Sequence, residues 1–247
     1  MKLAVVIPWF SPFMWTKAID GYWTWESPEG FTTKFFRGSG WCPAKRHMNG
    51  CEAACAWGAD VILIFGADQI GPPTLLTTLT RHLLTGRELI GALVPGRGYS
   101  NAWGLKPFQP LAWRFKGYTL RLNEPLPTIA YEGWEKSGHL CEVLQRNTGV
   151  QVAHLMGSGC IMFPRDTLEM VHRPWFFETF DPMLNRTANM DTWFSWRLQQ
   201  EGHAMLWCDT DLDIKHLHAF EIDATYPERF ADWAQQPALV PRELVIA

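Results

Sequence analysis

The stretch VILIFGADQIGPP, residues 61–73, decides the fold class. Its first residues, Val61–Phe65, are all apolar, which is typical of a strand buried on both faces of a sheet. The run ends at Gly66-Ala67 and a single acid, Asp68, and two prolines follow. Ligands of open α/β sheets bind beyond the carboxyl ends of the strands, so Asp68 is a candidate ligand-binding residue. The alternative is an ordinary loop acid that is solvated or caps a helix.

Strand and helix patterns alternate on both sides of this stretch. The apolar run at 3–7 stops at Pro8, and residues 44–57 have a helical spacing that ends at Gly58. The predicted elements of the first half are a strand at 3–7, a loop through residue 43, a helix at 44–57, a strand at 59–65, a helix at 75–84 and a strand at 89–94. This order is typical of a parallel sheet with crossover helices.

The second half of the chain begins with an irregular segment. Residues 96–139 are rich in Gly, Pro and aromatic residues, and a connection of this length indicates a functional role. Strand-like and helical pieces resume at 150–171, and a helix at 191–201 and a strand at 204–208 follow. We therefore expect one α/β domain over residues 1–247.

Composition excludes some classes of protein. The chain of 247 residues is 47% hydrophobic and 19% charged, and its net charge of −3 gives no global sign of a nucleic-acid-binding protein. It has no signal-peptide pattern and no apolar run near the length of a membrane span, so we expect a soluble, cytoplasmic protein with no transmembrane segment. Cys51 and Cys55 are one helical turn apart, which favours buried, reduced thiols over zinc ligands.

Several short motifs occur in a characteristic order along residues 1–218. They are Gly66-Ala67-Asp68 with Pro72-Pro73, then Gly157-Ser158-Gly159-Cys160, then Met190-Asp191 with Phe194, and finally Gly202, Asp209 and His216. In this order and spacing the sequence resembles the GT-A-fold glycosyltransferases, most of all the inverting, family-two-like group of nucleotide-diphospho-sugar transferases.

The resemblance implies a fold and an activity. The fold is a GT-A, Rossmann-like α/β structure with a mixed, mainly parallel sheet flanked by helices. The activity is metal-dependent transfer of a sugar from a nucleotide-diphosphate sugar to a hydroxyl acceptor, with inversion favoured. Residues 1–95 would be the half that binds the nucleotide sugar, and residues 96–247 the half that binds the acceptor and carries the catalytic residue.

Three residues carry the expected chemistry. Asp68 and His216 are the proposed ligands of a divalent cation, Mn²⁺ or Mg²⁺, and an imidazole ligand favours Mn²⁺. His218 lies two residues beyond His216 on the same strand face and is the alternative ligand. Asp191 is the proposed catalytic base, which would take the proton of the acceptor hydroxyl, although it could instead only cap a helix.

Further residues are expected to bind the donor. Pro8 and Trp9 end the first strand, where this fold places the nucleotide base, and Arg46 could reach the base or the diphosphate. The alternative for Arg46 is a solvated residue at a helix start. The remaining candidates are Arg97, for the sugar or diphosphate, and Gly157, Ser158 and Gly159, for a close backbone approach under the sugar or an ordinary turn.

Two departures from the family pattern keep a second function open. The first acid of the usual Asp-x-Asp pair is Gly66 here, and the Glu before the catalytic Asp is Met190. A catalytically decayed transferase that binds a nucleotide sugar or a glycan is therefore the alternative. A nucleotidyltransferase is disfavoured, because no Gly-rich loop follows the first strand.

The sequence indicates less about the acceptor than about the donor. Residues 89–123 contain no acid and interleave cationic with aromatic residues, which suits a sugar, a nucleotide or single-stranded nucleic acid. A saccharide or another small acceptor is favoured. The rival is a hydroxylated base in DNA, as in phage-type DNA modification, and simple packing of a lid is the structural alternative.

Overall fold

The computed structural model describes residues 1–9, 16–95, 100–101, 104–105, 112–115, 141–177, 179–181, 186–188, 194–195, 197–198, 204–217 and 221–222. The helices are α1 Thr16–Trp23, α2 Pro43–Ala56 and α3 Leu75–Leu84, with a 3₁₀ helix at Arg165–Met170. The strands of the first half are β1 Lys2–Pro8, β2 Thr32–Gly38, β3 Val61–Phe65, β4 Gln69–Ile70 and β5 Leu89–Ala92.

Shorter strands predominate after residue 95. They are β6 Ser100–Asn101, β7 Gly104–Leu105, β8 Ala112–Phe115, β9 Cys141–Val143, β10 Val150–Ala153, β11 Leu155–Met156, β12 Cys160–Pro164, β13 Thr179–Asp181, β14 Arg186–Ala188, β15 Leu206–Asp209, β16 Lys215–Leu217 and β17 Glu221–Ile222.

The centre of the molecule is a seven-stranded sheet with the order β10-β15-β5-β12-β3-β1-β2. Strands β1, β2, β3, β5 and β15 run in one direction, and β12 and β10 run against them. The mixed, mainly parallel sheet flanked by helices that the sequence predicted is confirmed. Its parallel strands bring their carboxyl ends to one edge of the sheet.

Two apolar layers cover the faces of this sheet. On one face Val6 and Ile64 pack in a buried cluster with Met48 and Cys51 of α2. On the other face, residues of β1 and β3 pack in a second buried cluster with Tyr22 of α1 and Leu79 of α3. Because both faces are covered, every residue of β3 is buried, which accounts for its uninterrupted apolar run.

The expected loop through residue 43 is wrong in two places. It contains helix α1, of which Ala18 and Tyr22 are the buried residues, and strand β2 at the sheet edge. Strand β2 has a neighbour on one side within the central sheet, and most of its side chains reach solvent. An edge strand with this exposure needs no long apolar run, so its sequence carries a weak strand signal.

The other predicted elements of the first half lie close to their expected positions. Helix α3 has the expected bounds, and β3 and β5 are each two residues shorter than predicted. Gly58 follows α2 with φ of +76°, and its N–H donates to the carbonyl oxygen of Cys55 at 2.9 Å, as expected of a glycine that ends a helix.

Five cysteines among the described residues are free thiols. Cys51 is fully buried on α2 as expected, and burial raises the pKa of its thiol. Cys55 is half-buried rather than buried, and burial is the main cause of its raised pKa. In the described part of the chain, no helix has the length and apolar character needed to cross a bilayer.

Candidate functional site

Asp68 and His216 meet at the carboxyl edge of the sheet. Strand β4, which begins directly after Asp68, pairs antiparallel with β16, and His216 lies opposite Gln69. The N–H of Leu217 donates to the main-chain oxygen of Asp68 at 2.7 Å. The backbone therefore holds two segments that are far apart in sequence at a fixed register beside the end of β3.

The side chains of this pair are oriented by a second contact. Nδ1 of His216 lies 2.8 Å from the carbonyl oxygen of Pro95, and because a carbonyl only accepts hydrogen bonds, Nδ1 carries the proton. Nε2 of the same ring faces Oδ2 of Asp68 at 3.4 Å. Asp68 is 5% exposed and His216 is 8% exposed, so both are buried.

This geometry fits a cation between the two side chains. Ligand atoms bound to one cation at about 2.1 Å, at tetrahedral or octahedral angles, lie about 3.0–3.4 Å apart. In the absence of a cation, a doubly protonated His216 would form an ion pair with Asp68 across the same distance. Among the described residues no group of three or more His, Cys, Asp and Glu side chains comes together, so this pair would share a cation with other oxygen ligands.

The loop 157–159 lies at the same edge. It joins β11 to β12, and Cys160 at the start of β12 pairs with Phe65 at the end of β3. The N–H of Gly66 donates to the carbonyl oxygen of Gly159 at 2.8 Å. Tyr22 donates its hydroxyl to the carbonyl oxygen of Gly66 at 3.0 Å, and burial raises the pKa of Tyr22, so it stays a donor.

Ser158 in this loop is paired with a histidine that the sequence analysis did not single out. Its Oγ lies 3.1 Å from Nε2 of His47, and Nδ1 of His47 lies 2.9 Å from the carbonyl oxygen of Pro43. Nδ1 therefore carries the proton, and Nε2 accepts from the Ser158 hydroxyl. The contact joins the start of α2 to the loop 157–159, and no local sequence pattern predicts it.

Gln69 is a second residue that sequence reasoning missed. Its side chain is 3% exposed and lies against the backbones of Gly66 and Gly159. A Cβ at Gly159 would overlap Nε2 of Gln69. The group that the structure places against the backbone of Gly159 is the Gln69 amide, and the close approach of a sugar to this loop stays a prediction.

The expected base-binding residues lie at the end of β1. Pro8 pairs with Gly38, and the N–H of Trp9 donates to the carbonyl oxygen of Gly38 at 2.8 Å. The guanidinium of Arg37 lies 4.4 Å from the centre of the Trp9 ring. Arg46, half-buried near the start of α2, donates from Nε to the carbonyl oxygen of Gly40 at 2.9 Å.

No protein-family model and no curated protein sequence matches this chain. Among solved structures, A197 from STIV superposes with a TM-score of 0.51 at 11% sequence identity, over 93% of this chain and 92% of that one. The chain shares its fold with A197.

Weaker likenesses also occur. Apo UDP-glucose pyrophosphorylase gives a TM-score of 0.37 at 11% identity, with 83% of this chain and 63% of that chain covered. UDP-glucose pyrophosphorylase complexed with UDP-glucose gives 0.35 at 10% identity, with 84% and 66% covered. At these identities the likeness to A197 concerns the fold alone.

The expected catalytic base, Asp191, lies outside the described residues, as do Arg97, Met190 and His218. Of the segment that follows Asp191, the structure describes Phe194, Ser195, Arg197 and Leu198 as helical residues. The ring of Phe194 packs at a tilt against that of Phe176 with ring centres 4.3 Å apart, and Oγ of Ser195 accepts a hydrogen bond from the N–H of Met156 at 3.2 Å. These contacts fasten the segment after Asp191 beside the strand that leads into the loop 157–159.

Asp209, another residue of the family pattern, has a separate partner. Its Oδ2 lies 2.9 Å from Nε2 of His82 on α3, and its Oδ1 accepts from the N–H of Asp211 at 2.9 Å. Both carboxylate oxygens thus have partners within the protein. This pair fastens the end of β15 to α3 and offers a structural comparison for the pair formed by Asp68 and His216.

Proposed function

We propose that this chain is a metal-dependent glycosyltransferase of the GT-A type that transfers a sugar from a nucleotide-diphosphate sugar to a hydroxyl acceptor. The observation that carries the proposal is the buried pair formed by Asp68 and His216 at the carboxyl edge of the sheet, with its donor atoms 3.4 Å apart. The family pattern in the sequence and the mainly parallel sheet support it.

Asp68 and His216 would hold the cation, Mn²⁺ or Mg²⁺. A bound divalent cation offsets the negative charge that develops on a departing nucleoside diphosphate. The hydrogen bond of Nδ1 to Pro95 fixes the tautomer of His216 and turns Nε2 toward the carboxylate, as partners of metal-bound histidines do.

The chain's own residues would bind and orient the donor. Pro8 and Trp9, at the end of β1, and Arg46, near the start of α2, are the proposed nucleotide-binding residues. Arg97 and the loop of Gly157, Ser158 and Gly159 are the candidates for the sugar and diphosphate. The hydroxyl of Ser158 donates a hydrogen bond to Nε2 of His47, which ties this loop to the start of α2.

Asp191 is proposed as the base that takes the proton of the acceptor hydroxyl while that oxygen attacks the anomeric carbon. Direct attack from the side opposite the leaving group inverts the configuration at this carbon. The packing of Phe194 on Phe176 would hold the segment that carries Asp191 against the core.

Ligand binding with and without metal tests the proposal. UDP-glucose, GDP-mannose and dTDP-glucose are screened by thermal shift in Mn²⁺, in Mg²⁺ and in EDTA, since a ligand that binds the native state raises the melting temperature. We expect at least one nucleotide sugar to stabilise the protein in a cation and not in EDTA. Equal stabilisation in EDTA would contradict the metal-dependent site.

A non-catalytic nucleotide-sugar or glycan binder is the second candidate. Gly66 favours it, because this residue replaces an acid of the usual pair. The two candidates differ in turnover: an enzyme releases nucleoside diphosphate from its donor when an acceptor is supplied, and a binder retains the intact donor. Product analysis after incubation with a bound donor and a set of saccharides separates them.

A saccharide or another small hydroxylated molecule is the favoured acceptor, and a hydroxylated base in DNA is the rival. Arg114, one of the cations in the acid-free stretch, donates from Nε to Oε1 of Glu142 at 2.7 Å. An ion pair this exposed is weak and leaves Arg114 able to exchange Glu142 for a phosphate, so the net charge of −3 is what favours the small acceptor.

A further inference from the structure

The side chain of Gln69 has an unmet hydrogen-bond acceptor. It is 3% exposed, and its Oε1 has no hydrogen-bond partner in the described part of the chain. A buried polar atom without a partner destabilises a fold, so such an atom at a ligand-binding edge indicates a partner that the ligand supplies.

Two glycines make room for this amide. A Cβ at Gly66 would lie 2.7 Å from both Cδ and Nε2 of Gln69, and a Cβ at Gly159 would overlap Nε2. The backbones of the two glycines are joined by the hydrogen bond from Gly66 to Gly159. The amide therefore lies against the main chain of both glycines, and a side chain at position 66 or 159 would take the space of the amide.

This main-chain surface lies at the proposed donor-binding site. Gly66 is the first residue after β3, and Gly159 is the last residue before β12. Gln69 itself follows Asp68 and lies opposite His216 in the β4–β16 ladder. The unmet acceptor thus belongs to the residue next to Asp68, on the strand that pairs with the one carrying His216.

We infer that Gln69 is a donor-binding residue whose side-chain carbonyl oxygen accepts a hydrogen bond from a hydroxyl group of the nucleotide sugar. The inference rests on the proposed function. Both the ribose and the transferred sugar supply such hydroxyls. An amide carbonyl accepts without carrying charge, so it binds a hydroxyl and leaves the cation to Asp68 and His216.

The same packing explains the departure at Gly66. An acid at position 66 and the amide of Gln69 would compete for one space, because even the Cβ of the acid comes within 2.7 Å of the amide. In this chain the side chain of Gln69 occupies the space that an acidic side chain at position 66 would need. Gly66 then marks an exchange of the binding residue from position 66 to position 69.

Two substitutions of similar size test the acceptor. Gln69→Met removes the acceptor oxygen, and Gln69→Glu keeps it. Binding to parent and variants is measured by calorimetry in Mn²⁺ with whichever of UDP-glucose, GDP-mannose and dTDP-glucose binds the parent, and with the matching nucleoside diphosphate. We expect Gln69→Met to weaken nucleotide-sugar binding about tenfold, as for the removal of one hydrogen bond, and Gln69→Glu to weaken it less.

The two probes distinguish the source of the hydroxyl. If the ribose supplies it, Gln69→Met weakens the nucleoside diphosphate and the nucleotide sugar equally. If the sugar supplies it, the nucleoside diphosphate binds parent and variant alike. Unchanged affinity of Gln69→Met for both probes overturns the inference and leaves the proposed function intact, whereas a parent protein that binds none of the probes overturns both.

An exchange of the two residues gives a second, independent test. We expect Gly66→Asp alone to lower the melting temperature, because its Cβ meets Gln69, and Gly66→Asp with Gln69→Ala to recover it. We also expect this double variant to bind the nucleotide sugar more tightly than Gln69→Ala alone. A double variant as unstable as Gly66→Asp, or as weak in binding as Gln69→Ala, contradicts the exchange.

Discussion

Nε2 of His216 faces Oδ2 of Asp68 at 3.4 Å, and the main chains of the same two segments are joined by the hydrogen bond from Leu217 to Asp68. The side-chain pair is thus built on a backbone pairing that does not depend on it. A substitution of either side chain should therefore change ligand binding more than folding.

The first prediction concerns this pair. Asp68→Asn and His216→Gln should each abolish the dependence of nucleotide-sugar binding on Mn²⁺, since each removes one proposed ligand. Calorimetry in Mn²⁺ and in EDTA measures the effect. His82→Gln is the matched control, because it breaks a second, partly buried contact between a histidine and an aspartate, with 2.9 Å between Nε2 of His82 and Oδ2 of Asp209. If His82→Gln abolished the metal dependence equally, the assignment of Asp68 and His216 would be wrong.

The second prediction concerns Asp191. Asp191→Asn should lower the transfer rate about 10²–10⁴-fold, the usual contribution of a general base, and leave donor affinity unchanged. Single-turnover transfer and donor titration are the two measurements. Asp166→Asn, a change in an exposed acid paired with Arg165, should keep the parental rate. A parental rate in Asp191→Asn would reduce this residue to a helix cap.

The third prediction concerns the aromatic packing after Asp191. Phe194 is fully buried between Phe163 and Phe176, so Phe194→Ala should lower the free energy of unfolding by about 3–5 kcal/mol. Denaturant unfolding measures it. Trp41→Ala, at a side chain that is 87% exposed, should change stability by about 0.5 kcal/mol or less. A small effect at Phe194 would show that this segment is not fastened to the core.

The fourth prediction concerns pH. Burial, with the nearby Arg114 cation, lowers the pKa of His154 to about 4. The unfolded chain, with an ordinary histidine pKa of about 6.5, therefore binds a proton before the folded chain does as the pH falls. The free energy of unfolding should decrease between about pH 6.5 and pH 4, by up to ~1.4 kcal/mol per pH unit from this residue, and level off below.

Denaturant unfolding across this pH range, in parent and His154→Gln, isolates the effect. The variant should lack the contribution of His154 and show a flatter pH dependence. His172→Gln, at an exposed histidine, serves as the control. An unchanged pH dependence in His154→Gln would mean that His154 is protonated equally in the folded and unfolded chains.

The fifth prediction concerns the acceptor. Labelled duplex DNA should not bind at 50 mM salt, as measured by fluorescence polarisation. If DNA is the acceptor, affinity will instead fall with salt with a log–log slope of about −0.9 per phosphate bound. Replacement of Arg114, Lys116 and Arg121 by Ala would then reduce that slope by roughly 1 for each phosphate that the variant no longer neutralises. Such a salt dependence would favour the rival acceptor.

The sequence predicted the elements whose signal is local. The apolar run of β3 and the spacing of α3 were enough to place both, and the position of Asp68 at a strand end followed from the run itself. Strand β2 was missed because its edge position leaves Lys34 and Phe35 in solvent and removes the apolar run. The local sequence pattern therefore predicted strands best where both faces of the strand are buried.

The parts of the candidate site that were missed depend on contacts between distant segments. His47 meets Ser158 across 3.1 Å, and Gln69 fits against Gly159, yet nothing near either residue in the sequence announces its partner. The resemblance predicted Asp68 and His216 because the motif pattern of a family includes residues that are far apart in sequence. A contact between two distant residues leaves no such trace in a single sequence.

Strand β12 is inserted between β3 and β5, two strands that the chain completes before residue 95. A fragment that ends near residue 95 would lack the strand that joins them, and it would leave one edge of β3 and both edges of β5 unpaired, because β15 also comes later in the chain. The chain as it emerges from the ribosome therefore cannot close this sheet until β12 has been synthesised. Until then β3, the strand buried along its whole length in the finished fold, has one open edge to which a chaperone or a second nascent chain can pair.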